Sequence, residues 1–373
     1  MSFRTKIPSP KLAAAVTAAV AAGALATAAL PLVAPANASP AARHGWRIIK
    51  VIGTRNVVLR AIAAPKTSSA WLGGLRASSF ETPVLYHLAG GRAPITVPPG
   101  GRGVGVNSLS ASSASNVWGS DLGAPLVLRL TKHGWSSHSV AIGKDEVQVE
   151  GVVATGRAGA WALTDDITTR HNYAFHFDGR TWHRVTIPYA PDADSQVGVV
   201  SGTSDRNIWS LTFAGQPSAP AAFRYDGKKW QLTRFPASVA KDAPLQIMTE
   251  SARDAWATLG PAGATSRPLI LLHWNGNRWS RVTGKLPADT LVGPVAPDGR
   301  GGLWLPAADG VHEVLLHFAA GHWSSVKVPT SGGKLPVITA LALVPGTRTL
   351  LGTGPLAYGP GGDSGTAVLE YTP

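Results

Sequence analysis

The chain has 373 residues, no cysteine, thirteen tryptophans and a formal net charge of +13. Without cysteine there is no disulfide frame, no thiolate nucleophile, no cysteine-held metal and no cysteine-linked tyrosyl radical. Length alone allows two domains, and the repeat pattern decides against that.

Residues 1–38 have the layout of a secretory signal. Arg4, Lys6 and Lys11 make a basic start, Leu12 to Ala34 is an apolar alanine-rich run, and Ala36-Asn37-Ala38 is a small-residue cleavage site. The expectation is export, cleavage before Ser39, and an extracellular mature chain, secreted or held at the cell wall. The apolar run is also long enough to span a bilayer, so a retained anchor is the alternative. Lipid acylation is excluded because there is no cysteine to carry it.

From Ser39 on, one unit recurs. Its clearest copy is Asn207 to Pro236, NIWSLTFAGQPSAPAAFRYDGKKWQLTRFP. A strand ends at Trp209, a second covers Ala221 to Tyr225, and Asp226-Gly227 marks a tight reversal because glycine accepts a positive φ. A third strand carries Trp230 and stops at Pro236. An apolar stretch before it, Val197 to Val200, supplies a fourth.

The first tryptophan recurs at Trp71, Trp118, Trp161, Trp209, Trp256 and Trp304, with spacings of 47, 43, 48, 47 and 48, and Leu351 stands 47 after the last. The strand before the turn recurs seven times, from Tyr86-His87-Leu88 to Leu369-Glu370-Tyr371. The last-strand tryptophan recurs at Trp135, Trp182, Trp230, Trp279 and Trp323, with Ala93 in that place in the first copy. The seventh copy lacks its last strand, and an unaccompanied strand, His44 to Val51, matches it at the other end of the chain. Four strands per unit and a period of 40 to 50 residues give an all-β, seven-bladed β-propeller. The N-terminal strand 44–51 completes its last blade. The expected blades are 52–99, 100–143, 144–190, 191–239, 240–288, 289–331 and 332–373, so 39–373 is expected to be a single domain. No helix is expected, since Gly and Pro interrupt every candidate. Pro98, Pro188, Pro236, Pro287 and Pro329 end last strands, as suits outer edges.

Twelve of the thirteen tryptophans fall on repeat positions, which assigns them to packing between blades rather than to sugar platforms. The row His87, Arg129, His176, Arg224, His273, His317 and Glu370 repeats just as regularly. A position serving every blade alike is structural, because a ligand site breaks the symmetry.

Several short stretches resemble functional motifs. Gly362-Asp363-Ser364-Gly365 resembles the nucleophile motif of trypsin-like proteases, without the histidine context that family uses. Asp192-Ala193-Asp194-Ser195 is similar to the start of a calcium loop, but the required glycine is missing and Thr203 stands in the place of the bidentate glutamate. No metal or cofactor is expected. Asp178-Gly179, Asp226-Gly227 and Asn275-Gly276, each followed by a tryptophan, resemble the Asp-box turns of sialidase-type propellers. In that family these turns are structural. Pro297 to Trp304 resembles one turn of propeller lyases that open cyclic peptide antibiotics. The whole mature chain is similar in architecture to secreted kelch-like and Asp-box-like propellers, which include enzymes and binding proteins alike.

Three of the 34 basic residues and none of the 21 acidic ones lie in residues 1–38, leaving a net charge of +10. That balance points to anionic cell-wall polymers, acidic polysaccharide or lipid headgroups. Along the sequence the basic residues form no run, which disfavours nucleic acid. The short turns between strands one and two and between three and four share one face of the ring. The longer, variable loops share the other, and variable loops on a rigid scaffold are where function sits. The candidate residues on that long-loop face are Arg76, Asp121, Asp165, Asp166, Arg170, His171, Asp192, Asp194, Lys241, Asp242, Asp309 and His312. The expected protein is a monomeric, non-catalytic binder of a cell-envelope glycan or a protein partner. The alternative is an extracellular glycosidase or lyase using the same face.

Overall fold

The computed structural model describes residues 45–53, 56–77, 81–89, 96–100, 103–140, 147–166, 172–187, 195–214, 219–261, 269–284, 293–309, 312–356 and 365–373. Their strands form seven antiparallel sheets. Strand β1 spans Gly45–Gly53. The first blade has β2 (Val57–Lys66), β3 (Ser69–Arg76) and β4 (Thr82–Leu88), with Thr96 bridging Leu85 at its outer edge. The second has β5 (Gly105–Ser113), β6 (Asn116–Leu122), β7 (Leu126–Thr131) and β8 (Gly134–Ser139). The third has β9 (Val147–Thr155), β10 (Gly159–Asp166), β11 (Asn172–Phe177) and β12 (Trp182–Thr186). The fourth has β13 (Ser195–Ser204), β14 (Asn207–Ala214), β15 (Ala221–Tyr225) and β16 (Trp230–Arg234). The fifth has β17 (Asp242–Ser251), β18 (Asp254–Pro261), β19 (Ile270–Trp274) and β20 (Trp279–Arg281). The sixth has β21 (Ala296–Pro297), β22 (Leu303–Asp309), β23 (His312–Ala319) and β24 (His322–Lys327). The seventh has β25 (Ala340–Leu343), β26 (Leu350–Pro355) and β27 (Gly365–Thr372), and β1 is its outermost strand, in the order β1-β27-β26-β25.

The protein is therefore a seven-bladed β-propeller whose ring is closed by the N-terminal strand. Among the described residues every sheet and every core cluster is built from residues between Gly45 and Thr372, inside one compact unit, residues 43–373, with its own core. Among the described residues the only helical turn is the short 3₁₀ segment Ala237–Val239.

One expectation needs correcting. The second strand of the unit does not end at its tryptophan: β14 continues from Trp209 to Ala214, and β3, β10 and β18 run on in the same way. The long loops are shorter by that much. The reason is burial on both faces. Ser210, Leu211 and Thr212 are all buried, so the segment shows no inside–outside alternation to read.

The tryptophans tie blade to blade. The second-strand indole of one blade meets the last-strand indole of the next edge-on. This pairs Trp71 with Trp135 (5.1 Å, 90°), Trp118 with Trp182 (5.4 Å, 81°) and Trp161 with Trp230 (5.8 Å, 81°). It also pairs Trp209 with Trp279 (5.4 Å, 81°) and Trp304 with Trp46 of β1 (5.7 Å, 83°). Eight of the thirteen tryptophans are buried and the other five are half-buried, which fits packing between blades.

Candidate functional site: the long-loop end of the propeller

The repeating polar row is absorbed by the scaffold. Each member lies directly across the sheet from the tryptophan row: His87 from Trp71, Arg129 from Trp118, His176 from Trp161, Arg224 from Trp209, His273 from Trp256 and His317 from Trp304. The four imidazoles stack on their indoles at 4.2, 4.7, 4.1 and 4.2 Å. The two guanidinium groups lie over theirs at 5.1 and 5.3 Å, a cation–π contact. Glu370 faces Leu351, which has no ring to cover, and it accepts a 2.8 Å bond from Arg47 of β1 instead.

A second position varies with the first. Where the row carries Arg, an asparagine stands two residues before the tryptophan. Its side-chain oxygen accepts the indole N–H, at 2.7 Å for Asn116 and 2.9 Å for Asn207. Its amide reaches the next blade, Asn116 to the carbonyls of Thr155 and Gly159, and Asn207 to the Thr249 hydroxyl. Where the row carries His, a side-chain oxygen binds Nε2: Ser69 for His87, Asp205 for His176, Asp254 for His273 and Asp298 for His317. These bonds hold Asp205 and Asp298 below the usual aspartate range. His273→Ala removes a stack and a hydrogen bond. It is expected to cost about 1–3 kcal/mol of stability in a denaturant melt and to leave any ligand binding unchanged. Lost binding at unchanged stability would contradict this structural role.

The asymmetry lies at the other end of the strands. Arg76, Asp121, Asp165, Asp166, Asp309 and His312 sit where second strands end or third strands begin, and Asp242 opens an innermost strand. In antiparallel sheets these positions share one end, the one that carries the variable loops. Lys241 precedes Asp242 there. The side chains differ in exposure. Arg76 and Lys241 are exposed and Asp242 is half-buried. Asp121, Asp165 and Asp166 have at most 1% of their surface exposed. The Asp121 carboxylate accepts the Gly103 N–H at 3.1 Å. Glycine is required at 103 because a Cβ there would meet the Leu122 carbonyl at 2.2 Å. Arg170, His171, Asp192, Asp194 and the Gly362-Asp363-Ser364 stretch lie outside the described residues, as do the side chains of Asp309 and His312.

Two carboxyl groups at this end escaped sequence reasoning. Glu150 is the bulged residue of the innermost strand β9, between Val149, opposite Thr164, and Gly151, opposite Leu163. Burial and the charge of nearby Asp165 push its carboxyl up to about 7, against a bond from Gln148. Glu313 at the start of β23 is pushed up to about 7 by burial as well, although it accepts the Ile338 N–H at 3.3 Å. Neither is marked in the sequence, because a bulge shows only in the pairing register and burial only in the assembled ring. Among the described residues no group of three or more His, Asp or Glu could hold a metal ion.

No family model and no curated protein matches the chain. Solved structures do. A virginiamycin B lyase from Staphylococcus aureus has 12% sequence identity, with 87% of this chain and 98% of that one covered at a TM-score of 0.58. YCF48 from Cyanidioschyzon merolae has 14% identity, with 88% and 99% covered at 0.57, and YCF48 bound to a D1 peptide gives 0.55 at the same identity. U3-55K, at 11% identity, gives 0.59. A lyase and a protein solved with a bound peptide thus share the architecture at identities that show the fold alone.

Proposed function

We propose that the protein is an exported, non-catalytic binding protein. Its receiving surface is the long-loop end of the propeller, and its partner is another protein or a cell-envelope glycan. The observation that carries this reading is the burial of Asp121, Asp165 and Asp166. The carboxylates that would be first choices for acid–base chemistry are closed off from a polymeric substrate, while Arg76 and Lys241 stand open at the same end. The repeating polar groups of the scaffold are already engaged with its own tryptophans, serine and aspartates. Recognition then falls to the loops that differ from copy to copy. A propeller of the same architecture has been solved with a bound peptide, which supports a protein partner. The test is capture of envelope components by residues 39–373 at high salt, with Arg76→Glu/Lys241→Glu beside the unaltered chain. The double reversal is expected to abolish what the unaltered chain retains. Unchanged capture would remove this end from consideration.

A second reading rests on Glu150 beside Asp165. A carboxyl group kept protonated near neutrality by burial and a neighbouring carboxylate is what a general acid needs, as in glycoside hydrolysis. The site would then be the channel mouth at the same end, with Glu150 as the acid. Turnover of a polysaccharide that Glu150→Gln abolishes would establish it over the binding reading.

A further inference from the structure

Scattered along the sequence, the basic residues are gathered by the fold. The turn joining the first and second strands carries one in six of the seven blades: Lys66, Arg157, Arg206, Arg253, Arg300 and Arg348. All six side chains are exposed, and among the described residues none enters an ion pair. They form a ring around the axis on the short-turn face. The outer hairpins of that face add Lys132, Arg180, Lys228 and Arg278, also exposed. The stems of Arg206 and Arg253 lie across the hairpin glycines of their own blades, since a Cβ on Gly227 or Gly276 would meet their Cγ atoms at 2.7 and 2.9 Å. Those guanidinium groups are thereby held at the rim.

The acidic residues of this face are engaged in local hydrogen bonds, although the Asp178 and Asp205 side chains stay partly exposed. Asp226 accepts the N–H groups of Lys228 and Lys229, and Asp178 those of Arg180 and Thr181. Glu250 accepts those of Gly299 and Gly301. Asp205, Asp254 and Asp298 bind the histidines of the repeating row. The buried carboxylates Asp121, Asp165 and Asp166 lie at the opposite end. Among the described residues the exposed basic side chains are gathered most densely on this face, with Arg76 and Lys241 exposed at the other.

A second, independent feature marks the same face. Gly45, the first residue of β1, pairs with Thr372, and Tyr371 pairs with Leu350 at the start of β26, just after the turn carrying Arg348. The chain therefore joins the propeller at the basic face.

We propose that the short-turn face rests on the headgroups of an anionic lipid bilayer. A ring of separate point charges on turns suits a flat, delocalised array of phosphates. A single polymer strand calls for a continuous groove with exposed stacking rings, and no tryptophan here is fully exposed. The exposed large apolar side chains lie off these turns, so contact is electrostatic, without insertion. The surface is peripheral: among the described residues no helix is long and apolar enough to cross a membrane.

The experiment is co-sedimentation of residues 39–373 with phosphatidylglycerol-containing vesicles and with pure phosphatidylcholine vesicles, at low and high salt. Binding is expected to the anionic vesicles alone and to fall with salt. Arg206→Glu/Arg253→Glu/Arg300→Glu is expected to weaken it at least roughly a hundredfold, since losing each basic residue near a charged surface costs about fivefold and each new carboxylate adds repulsion. A charge-matched control, Arg234→Glu/Arg281→Glu/Lys327→Glu, alters exposed outer-strand residues away from these turns and is expected to retain binding. The corresponding triple Gln variant keeps the packed stems should reversal harm folding, and it is expected to weaken binding as well. The inference is overturned if the unaltered protein does not bind, or if the two triple reversals lose binding equally. It is also overturned if a soluble acidic polysaccharide of equal charge displaces the vesicles from this face.

Discussion

Trp209→Ala is expected to destabilise the propeller by about 3–5 kcal/mol and to lower Tm by roughly 4–7 °C, given the large unfolding entropy of a chain this size. The indole has none of its surface exposed. It meets Trp279 edge-on at 5.4 Å and Trp274 at 5.4 Å, lies under Arg224, and gives its N–H to Asn207. Removing it opens a cavity at the seam between the fourth and fifth blades and strands an asparagine oxygen that accepted its proton. Trp209→Phe keeps an aromatic edge for Trp279 and should lose less. A loss under about 1 kcal/mol for the alanine variant would mean that the seam can collapse and that the tryptophan row is not what joins the blades.

The second large effect is a loss of stability as pH rises. Glu150 and Glu313 each have a carboxyl pushed from 4.5 up to about 7 by burial. Between those values the folded chain binds more protons than the unfolded one, so stability falls across that window. It is full below about pH 4.5 and exhausted above about pH 7. Each group accounts for about 3 kcal/mol over the whole window. His87 and His138 act in the opposite direction, because burial holds their pKa values below 6.5 and their protonation in acid favours unfolding. The comparison that isolates the glutamates is therefore the unaltered chain against Glu150→Gln/Glu313→Gln. The double variant is expected to be more stable than the unaltered chain at pH 8 and to lack most of the decline between pH 5 and pH 8. Equal pH profiles for the two proteins would show that both carboxyl groups stay ionised in the fold.

The architecture was legible because it repeats. Seven copies of a three-residue strand before a turn, and tryptophans every 43 to 48 residues, fix the strands, the blade count and the closing role of β1. The structural reading of the His and Arg row was legible for the same reason. What could not be read is what exists only after the ring closes. Strand segments such as Ser210 to Thr212 are buried on both faces and lose the alternation that marks a strand. Glu150 becomes exceptional through a bulge and a neighbouring carboxylate. Lys66, Arg157, Arg206, Arg253, Arg300 and Arg348 are isolated in sequence and become a ring because each occupies the same turn of its blade. One further pairing was present in the sequence: Asn two residues before the tryptophan goes with Arg in the row, and it explains itself once the indole N–H is seen to need an acceptor.

On the two proposals above, the basic end meets anionic lipid and the variable end meets a specific partner. The most direct test is a salt titration of binding to isolated cell envelopes by three proteins: residues 39–373, the Arg206/Arg253/Arg300 reversal, and the Arg76/Lys241 reversal. The expected result is a salt-sensitive component missing only from the first variant and a salt-resistant component missing only from the second. A single component lost in both variants, or one retained in both, would contradict it.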